Sequence, residues 1–478
     1  MAFRWVAGRF RAARADRRGE DGMSGSRVVR AARAAALLAA GAFVAQAGPE
    51  VRPVPPAAER FVRTETAPGV AALLREVLER NPRLAAARAR ARAAAQKAPQ
   101  AGTLPDPRFG VGLFLLPPET RTGPQRASAS LSQHFPWFGK LTLRERAALE
   151  GASAVAQRAE AVALDVVSEA RRLAIRLAFL VEEQRIVEED LATLSEFERL
   201  ARAHYETGAG LAQAVVKLQA EITRDRTRLL DIDAARVRVE AALNELRDRP
   251  AGAALPKVSL PELPELPPDL AELRRWAEHR RPEVLAALAE IERSRTMVEL
   301  AHKDYRPDFT VGLTYTAVGG RSDPAGKLSP PPDNGEDIVG LAASINLPIR
   351  KRRLTAQVRE AIESRGAAEA IHRTALSEIS GALEDLGARI PILRDQYDLF
   401  HAVLGPQAEE SLNSARYAYE TGRADVLDLL DAERVLLEVR LGELRARTEL
   451  HLAYIDLERA IGSPLADVSA ARRKEAAR

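Results

Sequence analysis

Tyr205-Glu206-Thr207-Gly208 and Tyr419-Glu420-Thr421-Gly422 are the same four residues, YETG, written 214 positions apart in a chain of 478. Each copy closes a long, charged, alanine-rich stretch of helical character. A second such stretch follows each. Glycine accepts the left-handed conformation in which helices commonly end. The phrase therefore predicts the far tip of an α-hairpin, and two phrases predict two tips.

The repetition extends outward from YETG. At an offset of 200, Asn81-Pro82 meets Arg281-Pro282, and Pro107, Phe109, Val111, Gly112 and Leu113 meet Pro307, Phe309, Val311, Gly312 and Leu313. Pro136 meets Pro348 at an offset of 212, and Leu243 and Pro250 meet Leu457 and Pro464 at 214. Register kept through prolines and glycines indicates duplication. The offset grows because the second copy carries a longer insert, Val318 to Glu336. Each copy reads helix, strand, loop, strand, very long helix, YETG, long helix. The expected organisation is a linker at 48–68, a first repeat at 69–249, a proline-rich linker at 250–268, a second repeat at 269–464 and a loose tail at 465–478. The middle linker holds six prolines and cannot be helical.

Four short segments alternate with a period of two. Phe109, Val111, Leu113 and Leu115 share one face, opposite Arg108, Gly110 and Gly112. Ala127, Ala129, Leu131 and Phe135 oppose Ser128, Ser130, Ser132 and His134. Phe309, Val311, Leu313 and Tyr315 oppose Asp308, Thr310, Gly312 and Thr314. Val339, Leu341, Ala343, Ile345 and Leu347 oppose Gly340, Ser344 and Asn346. Such strands have one apolar and one small, polar face. Their length suits a tilted membrane strand with Phe109, Val111, Leu113, Phe309, Val311, Leu313 and Tyr315 toward lipid. A small soluble sheet packed on a helix is the other reading of this alternation. Four strands are too few to close a barrel, and an open edge cannot sit in lipid. If the strands span a membrane, several subunits share one barrel.

The helical stretches are too long for a globule. Gly139 to His204 covers 66 residues, about 100 Å at 1.5 Å per residue. Thr355 to Tyr419 is similar but contains Gly381, Gly387 and Pro391, so a bend is expected near Pro391. In the returning stretch Leu430, Leu437 and Leu444 are seven apart. Val216, Leu230 and Val237 keep one phase in the first copy, and Ile222, Leu229 and Leu243 form a second line. Two apolar lines imply contact with more than one neighbour, as in a cylinder wall; a two-stranded coiled coil is the simpler alternative.

Residues 1–47 read as a secretory signal. Arg27, Arg30 and Arg33 precede the apolar stretch Ala34 to Val44, and Ala45-Gln46-Ala47 is an A-x-A cleavage pattern. Met23 reads as an alternative start. These 47 residues hold nine Lys/Arg and three Asp/Glu, so the remaining chain is net −2 against +4 for the whole sequence. The basic character belongs to the leader, and a nucleic-acid partner is not expected. There is no cysteine, which excludes disulfides, thiolate sites and a cysteine lipid anchor.

Together, the duplicated plan, Phe135-Pro136-Trp137-Phe138-Gly139-Lys140, and YETG followed by Val426-Leu427-Asp428-Leu429-Leu430-Asp431-Ala432 resemble the TolC family of outer-membrane efflux channels. The resemblance spans about residues 69–464. It implies a mainly α subunit with a small β part. Duplicated long α-hairpins would form a trimeric α-barrel, and four strands per subunit would join a shared 12-stranded transmembrane β-barrel. It further implies a homotrimer in the outer membrane of a Gram-negative bacterium, extending into the periplasm. The partners would be outer-membrane lipid, a periplasmic adaptor and an inner-membrane pump of the RND or ABC class. The family's pore constriction maps onto Gly422, Asp428 and Asp431; Asp425 extends the spacing by three and also suits a helix N-cap. Residues three apart share a helix face, so three subunits would present acidic rings that favour cations. The first copy has Ala214 and Lys217 at these places. Its small, apolar tip, Gly208, Ala209, Gly210 and Leu211, is expected to touch the adaptor, with Gly422 and Arg423 at the second tip.

Other classes lack their motifs. There is no H-E-x-x-H, no G-x-S-x-G and no glycine-rich phosphate loop, and the seven histidines are scattered. No enzyme activity, cofactor or metal centre is expected. The rival reading is a soluble periplasmic coiled-coil scaffold or adaptor. Two equivalent hairpins, each beyond a strand pair, favour the channel. The F-P-W-F-G-K run resembles members serving metal-efflux pumps, so metal cations or drugs are the expected cargo.

Overall fold

The computed structural model describes residues 57–207, 211–264 and 269–476. The expected leader at 1–47 and the tip residues Gly208, Ala209 and Gly210 lie outside the described residues. The chain is mainly α-helical with one four-stranded sheet.

In the first half, α1 (Ala57–Thr64), α2 (Pro68–Arg80), α3 (Pro82–Ala95) and α4 (Lys97–Gly102) lead to β1 (Arg108–Leu113) and β2 (Gln125–Phe135). The chain then runs out along α5 (Lys140–Glu206) and back along α6 (Ala212–Leu246). In the second half, α7 (Leu270–Arg280) and α8 (Pro282–Lys303) lead to β3 (Phe309–Val318), the short α9 (Pro324–Leu328) and β4 (Ile338–Ile345). The outgoing arm is α10 (Lys351–Leu399), a π-helical turn (Phe400–Leu404) and α11 (Gly405–Glu420); α12 (Val426–Ile461) returns, and α13 (Leu465–Ala476) follows. The 67 residues of α5 span about 100 Å. Nothing local could hold so long a rod, and its support is lateral: α3, α6, α8 and α12 all pack along it.

The helices share several small cores. One gathers Phe61, Leu73, Leu74 and Leu84 around Leu164, Val167 and Leu243. Its counterpart in the second half gathers Leu273 and Val284 around Leu383, Ile390, Leu450 and Leu457. A third, near the tips, joins Leu194, Phe197 and Leu218 of the first hairpin to Leu412, Leu429, Leu430 and Leu436 of the second. The described part of the proline-rich segment, 250–264, runs over these helices without regular structure, with carbonyls held by arginines. Arg447 donates to the Pro261 carbonyl at 2.7 Å and Arg394 to that of Pro264 at 3.2 Å.

The sheet is antiparallel, in the order β1-β2-β3-β4, so the two halves meet at β2 and β3. The register aligns the alternation of all four strands. Phe109, Leu131, Leu313 and Leu341 form one cross-strand row, and Val111, Ala129, Tyr315 and Val339 the next. Gly110, Ser130, Thr314 and Gly340 form a row on the opposite face. A one-residue slip in any strand would mix the faces. No described helix packs across either face.

The N-terminal linker and the tail differ from the sequence expectation. In the outgoing second arm α10 runs on through Pro391. Ile379, Leu383, Leu386 and Ile390 are buried there, and that packing offsets the roughly 3 kcal/mol cost of an interior proline. The helix widens at Phe400–Leu404, where the Gly405 N–H reaches back to the Phe400 carbonyl. Pro406 follows directly, and the wider turn relieves its ring's clash with the carbonyl four residues earlier. The N-terminal linker contains α1, whose Phe61 is buried with the Arg171 guanidinium 5.4 Å from its ring centre. The tail contains α13, which buries Val468 in the second core.

Candidate functional site

At the second tip, α11 ends in a Schellman turn. The Gly422 N–H bonds the Tyr419 carbonyl at 3.0 Å and the Arg423 N–H bonds that of Ala418 at 2.8 Å. This geometry needs a left-handed residue, and Gly422 has φ +69°. Three residues later Asp425 caps α12. Its carboxylate accepts from the Val426 N–H at 2.7 Å, and the Asp428 carboxylate accepts from the Asp425 N–H at 2.9 Å. The two acids form a reciprocal capping box, with negative charge at the helix N-terminus where the dipole favours it. Asp425, Asp428 and Asp431 are all exposed, while the intervening Val426, Leu429 and Leu430 are buried. The acids thus point away from the subunit's own core. Arg434 lies 3.6 Å from Asp431.

At the first tip Leu211 is the exposed residue before α6. The equivalents of Asp428 and Asp431 differ in character: Ala214 is buried and Lys217 exposed. The two tips touch, since the rings of His204 and Tyr419 stack at 5.4 Å. Burial, and next the Asp425 charge, raise the Tyr419 hydroxyl above its usual pKa.

The opposite end is the open sheet. Phe109, Val111 and Leu113 are 70%, 66% and 74% exposed. They share a face with Phe309, Val311, Leu313 and Tyr315, all in register. The same face continues through Val339, Leu341 and Ile345 of β4, also exposed. The apolar side is therefore one continuous surface, whereas isolated exposed apolar residues would be unremarkable in a soluble protein.

Where strands meet helices, the F-P-W-F-G-K segment forms a clamp. Gly139 takes φ +82° at the start of α5 and lets the chain turn. Phe135 stacks on Phe309 at 5.3 Å, and Phe138 lies 6.0 Å from Phe309. Aromatics at this level suit a membrane interface. Buried Lys140 contacts Asp308 at 2.9 Å and Asp304 at 3.3 Å. Although desolvation alone would raise it, the Asp308 carboxyl is held below its usual pKa by the Trp137 N–H and by Lys140.

Among the described residues no His/Cys/Asp/Glu group could hold a metal ion, and no helix is long and apolar enough to cross a membrane. Sequence reasoning missed a second acidic group. Asp190, Asp225 and Glu433 are buried between the hairpins. The signal was present: Asp190 falls between Val187 and Leu194 in the apolar seam of α5, with the spacing of a core residue.

The family model described as outer membrane efflux protein matches the chain twice, over residues 73–247 and 273–463. The chain belongs to this family, the TolC family. It is accordingly an outer-membrane channel protein extending into the periplasm, acts in efflux, and is not an enzyme. Among curated relatives, the cobalt-zinc-cadmium resistance protein CzcC of Cupriavidus metallidurans is 24% identical over 385 residues, covering 76% of this chain and 82% of that protein. Among solved structures, the outer membrane protein VceC of Vibrio cholerae superposes with a TM-score of 0.69 at 20% identity, covering 85% of this chain and 99% of that one. The CmeC outer membrane channel of Campylobacter jejuni gives 0.67 at 18% identity, covering 86% and 89%. At such identities the likeness of this chain to these solved structures is one of fold.

Proposed function

We propose that three copies of this chain close a 12-stranded barrel in the outer membrane, and that their helices form the wall of a passive conduit through the periplasm. The observation that carries this reading is the sheet. Its four strands leave β1 and β4 each with an unpaired edge, and its apolar side is uncovered. In lipid every backbone polar group needs a partner, so the edges must pair with identical copies. The Ser/Thr/Gly side then lines the water-filled interior.

In this arrangement Asp428 and Asp431, with Asp425 above them, form stacked acidic rings at the periplasmic mouth. Such rings admit cations and repel one another when the mouth is narrow. The first tip, Gly208, Ala209, Gly210 and Leu211, and the second, Gly422 and Arg423, meet a periplasmic adaptor. Through it the conduit engages an inner-membrane pump, which supplies the energy. Divalent metal cations are the cargo best supported, because the relative CzcC is described as a cobalt-zinc-cadmium resistance protein.

The decisive experiment expresses the full chain in a Gram-negative host and follows its fate. A crosslinkable trimer in the outer-membrane fraction, forming cation-selective channels in planar bilayers, is the expected result. A monomer that stays soluble without lipid or detergent overturns the reading. Deleting the gene and scoring sensitivity to metal cations against sensitivity to drugs tests the cargo separately.

A further inference from the structure

The seam between the two hairpins contains a polar break. In α5 the apolar line runs Val187, Leu194, Phe197; in α6 it includes Leu218 and Ile232; in α12 it includes Leu429 and Leu436, all buried. Three acids stand in these lines: Asp190, Asp225 and Glu433, only 6%, 5% and 4% exposed. The first two belong to the first hairpin and the third to the second, so the group bridges them. The Asp190 carboxyl faces those of Asp225 and Glu433, both of which act on it.

An ionised carboxylate only accepts. With all three charged, Oδ1 of Asp190, Oδ2 of Asp225 and Oε2 of Glu433 are buried without a donor. One proton on Asp190 removes a charge and supplies that donor. The nearby cations are committed elsewhere. From α6 Arg224 pairs with Glu221 at 2.7 Å, and from α12 Arg434 also pairs with Glu221. Arg440 of α12 is shared between Glu409 of α11 at 3.4 Å and Glu189 of α5 at 3.9 Å. Arg416 of α11 lies over the Phe197 ring. None forms an ion pair with the three acids, although Arg440 and Arg416 act on Glu433 through space.

We propose that a proton held on Asp190, between Asp225 and Glu433, latches the return helix of the second hairpin to the first hairpin, and that its loss frees the second hairpin near its tip. Burial first, and then the Asp225 and Glu433 carboxyls, push Asp190 up to about 9. Glu433 is raised too, by burial, with the Asp190 hydrogen bond partly offsetting this. The sign follows. A carboxyl whose folded pKa lies above its unfolded value weakens the packing as pH rises between the two, and completes the loss at the folded value. The latch is therefore closed at neutral pH and released in alkali.

The chain contains no cysteine, so two introduced cysteines can carry spin labels without background. Glu196→Cys on α5 and Glu438→Cys on α12 use exposed positions on the two sides of the seam. In the purified full chain, the distance distribution between the labels should broaden or lengthen as pH is raised from neutral through about 9. With Asp190→Asn added, the neutral distribution should persist across the same range. An unchanged distribution in the parent, or the same transition in Asp190→Asn, overturns the latch. If Asp190→Asn does not fold, Glu433→Gln serves: it removes one of the two acids facing Asp190 and should shrink the transition, and an unaltered transition overturns the proposal. The readout is helix spacing, so it succeeds or fails independently of conduction.

Discussion

Lys140 Nζ lies 2.9 Å from Asp308 Oδ1, joining the start of the first long helix to the start of the third strand. The lysine is buried, and the same carboxylate also accepts from the Trp137 N–H at 2.7 Å. The pair ties the two halves together where helices become strands. Lys140→Ala leaves a largely buried carboxylate without its cation and should cost about 3 kcal/mol. Denaturant unfolding of the purified protein measures this, and a loss under about 0.5 kcal/mol would place the pair among surface ion pairs. Because the Asp308 pKa is lowered, its contribution is present above the unfolded value of about 3.9 and lost as pH falls through the folded one. Lys140→Ala should flatten that acid limb.

The exposed face of the sheet gives a sharp contrast between neighbours. Val111→Arg or Leu341→Arg puts a charge on the apolar side, and Ser130→Arg puts one on the polar side. For a strand in lipid the first two cost about 2–4 kcal/mol near mid-bilayer, while the lumen side tolerates charge. Folding yield into lipid vesicles distinguishes them. Equal effects on both faces would contradict a lipid-facing surface.

Gly442 of α12 sits against the Phe400 ring, and a Cβ there would collide with it. In an ordinary helix Gly→Ala gains roughly 1 kcal/mol. Here the sign reverses: Gly442→Ala should destabilise by about 1–3 kcal/mol, the usual penalty of overpacking. Phe400→Leu should restore much of the loss in the double variant, measured by a thermodynamic cycle. Additive effects would mean that the π-helical turn does not aim Phe400 at this glycine.

Asp428→Ala with Asp431→Ala removes the second and third acids of the tip. Single-channel conductance should rise and block by divalent cations should weaken, as expected when a charged constriction is neutralised. Since Asp428 also completes the capping box, the α12 N-terminus should lose about 1 kcal/mol. Asp425→Ala should show the capping loss as well. Unchanged conductance and block in the double variant would remove these acids from the pore.

His451 is buried, and its pKa is lowered to about 4 by burial first and then by the charges of Arg447 and Arg171. A histidine held neutral in the fold contributes full stability above its unfolded value of about 6.5 and loses it as pH falls toward 4. His451→Gln should therefore lose less stability than the parent between these limits. Melting temperature against pH measures the difference, and parallel curves would show that another group carries the acid sensitivity.

Local pattern was enough to read much of this molecule. YETG marked the second helix end because a left-handed residue is needed there and glycine supplies it, as Gly422 does. Alternation assigned the strand faces because side chains in an extended chain must point to opposite sides. Sevenfold apolar lines showed that the helices have neighbours. Asp425 was recognisable as a cap from its type and place. What local pattern could not supply was which distant residues meet. The β2–β3 pairing merges two hairpins into one sheet, and it depends on contacts far apart in sequence. Pro391 stays inside α10 among buried side chains, and the π-helical turn at Phe400–Leu404 was not legible. That Asp190, Asp225 and Glu433 meet could not be read, although Asp190 has core spacing, because desolvation belongs to the assembled seam and to no single segment. Sequence by itself determined the long helices, the strands with their faces, and the duplication, since those follow from nearest-neighbour sterics and periodicity. Only the tertiary structure decided the clamp at Lys140, the tip-to-tip stacking of His204 on Tyr419 and the buried acids, since each is a meeting of groups whose energies exist only once water has been excluded between them.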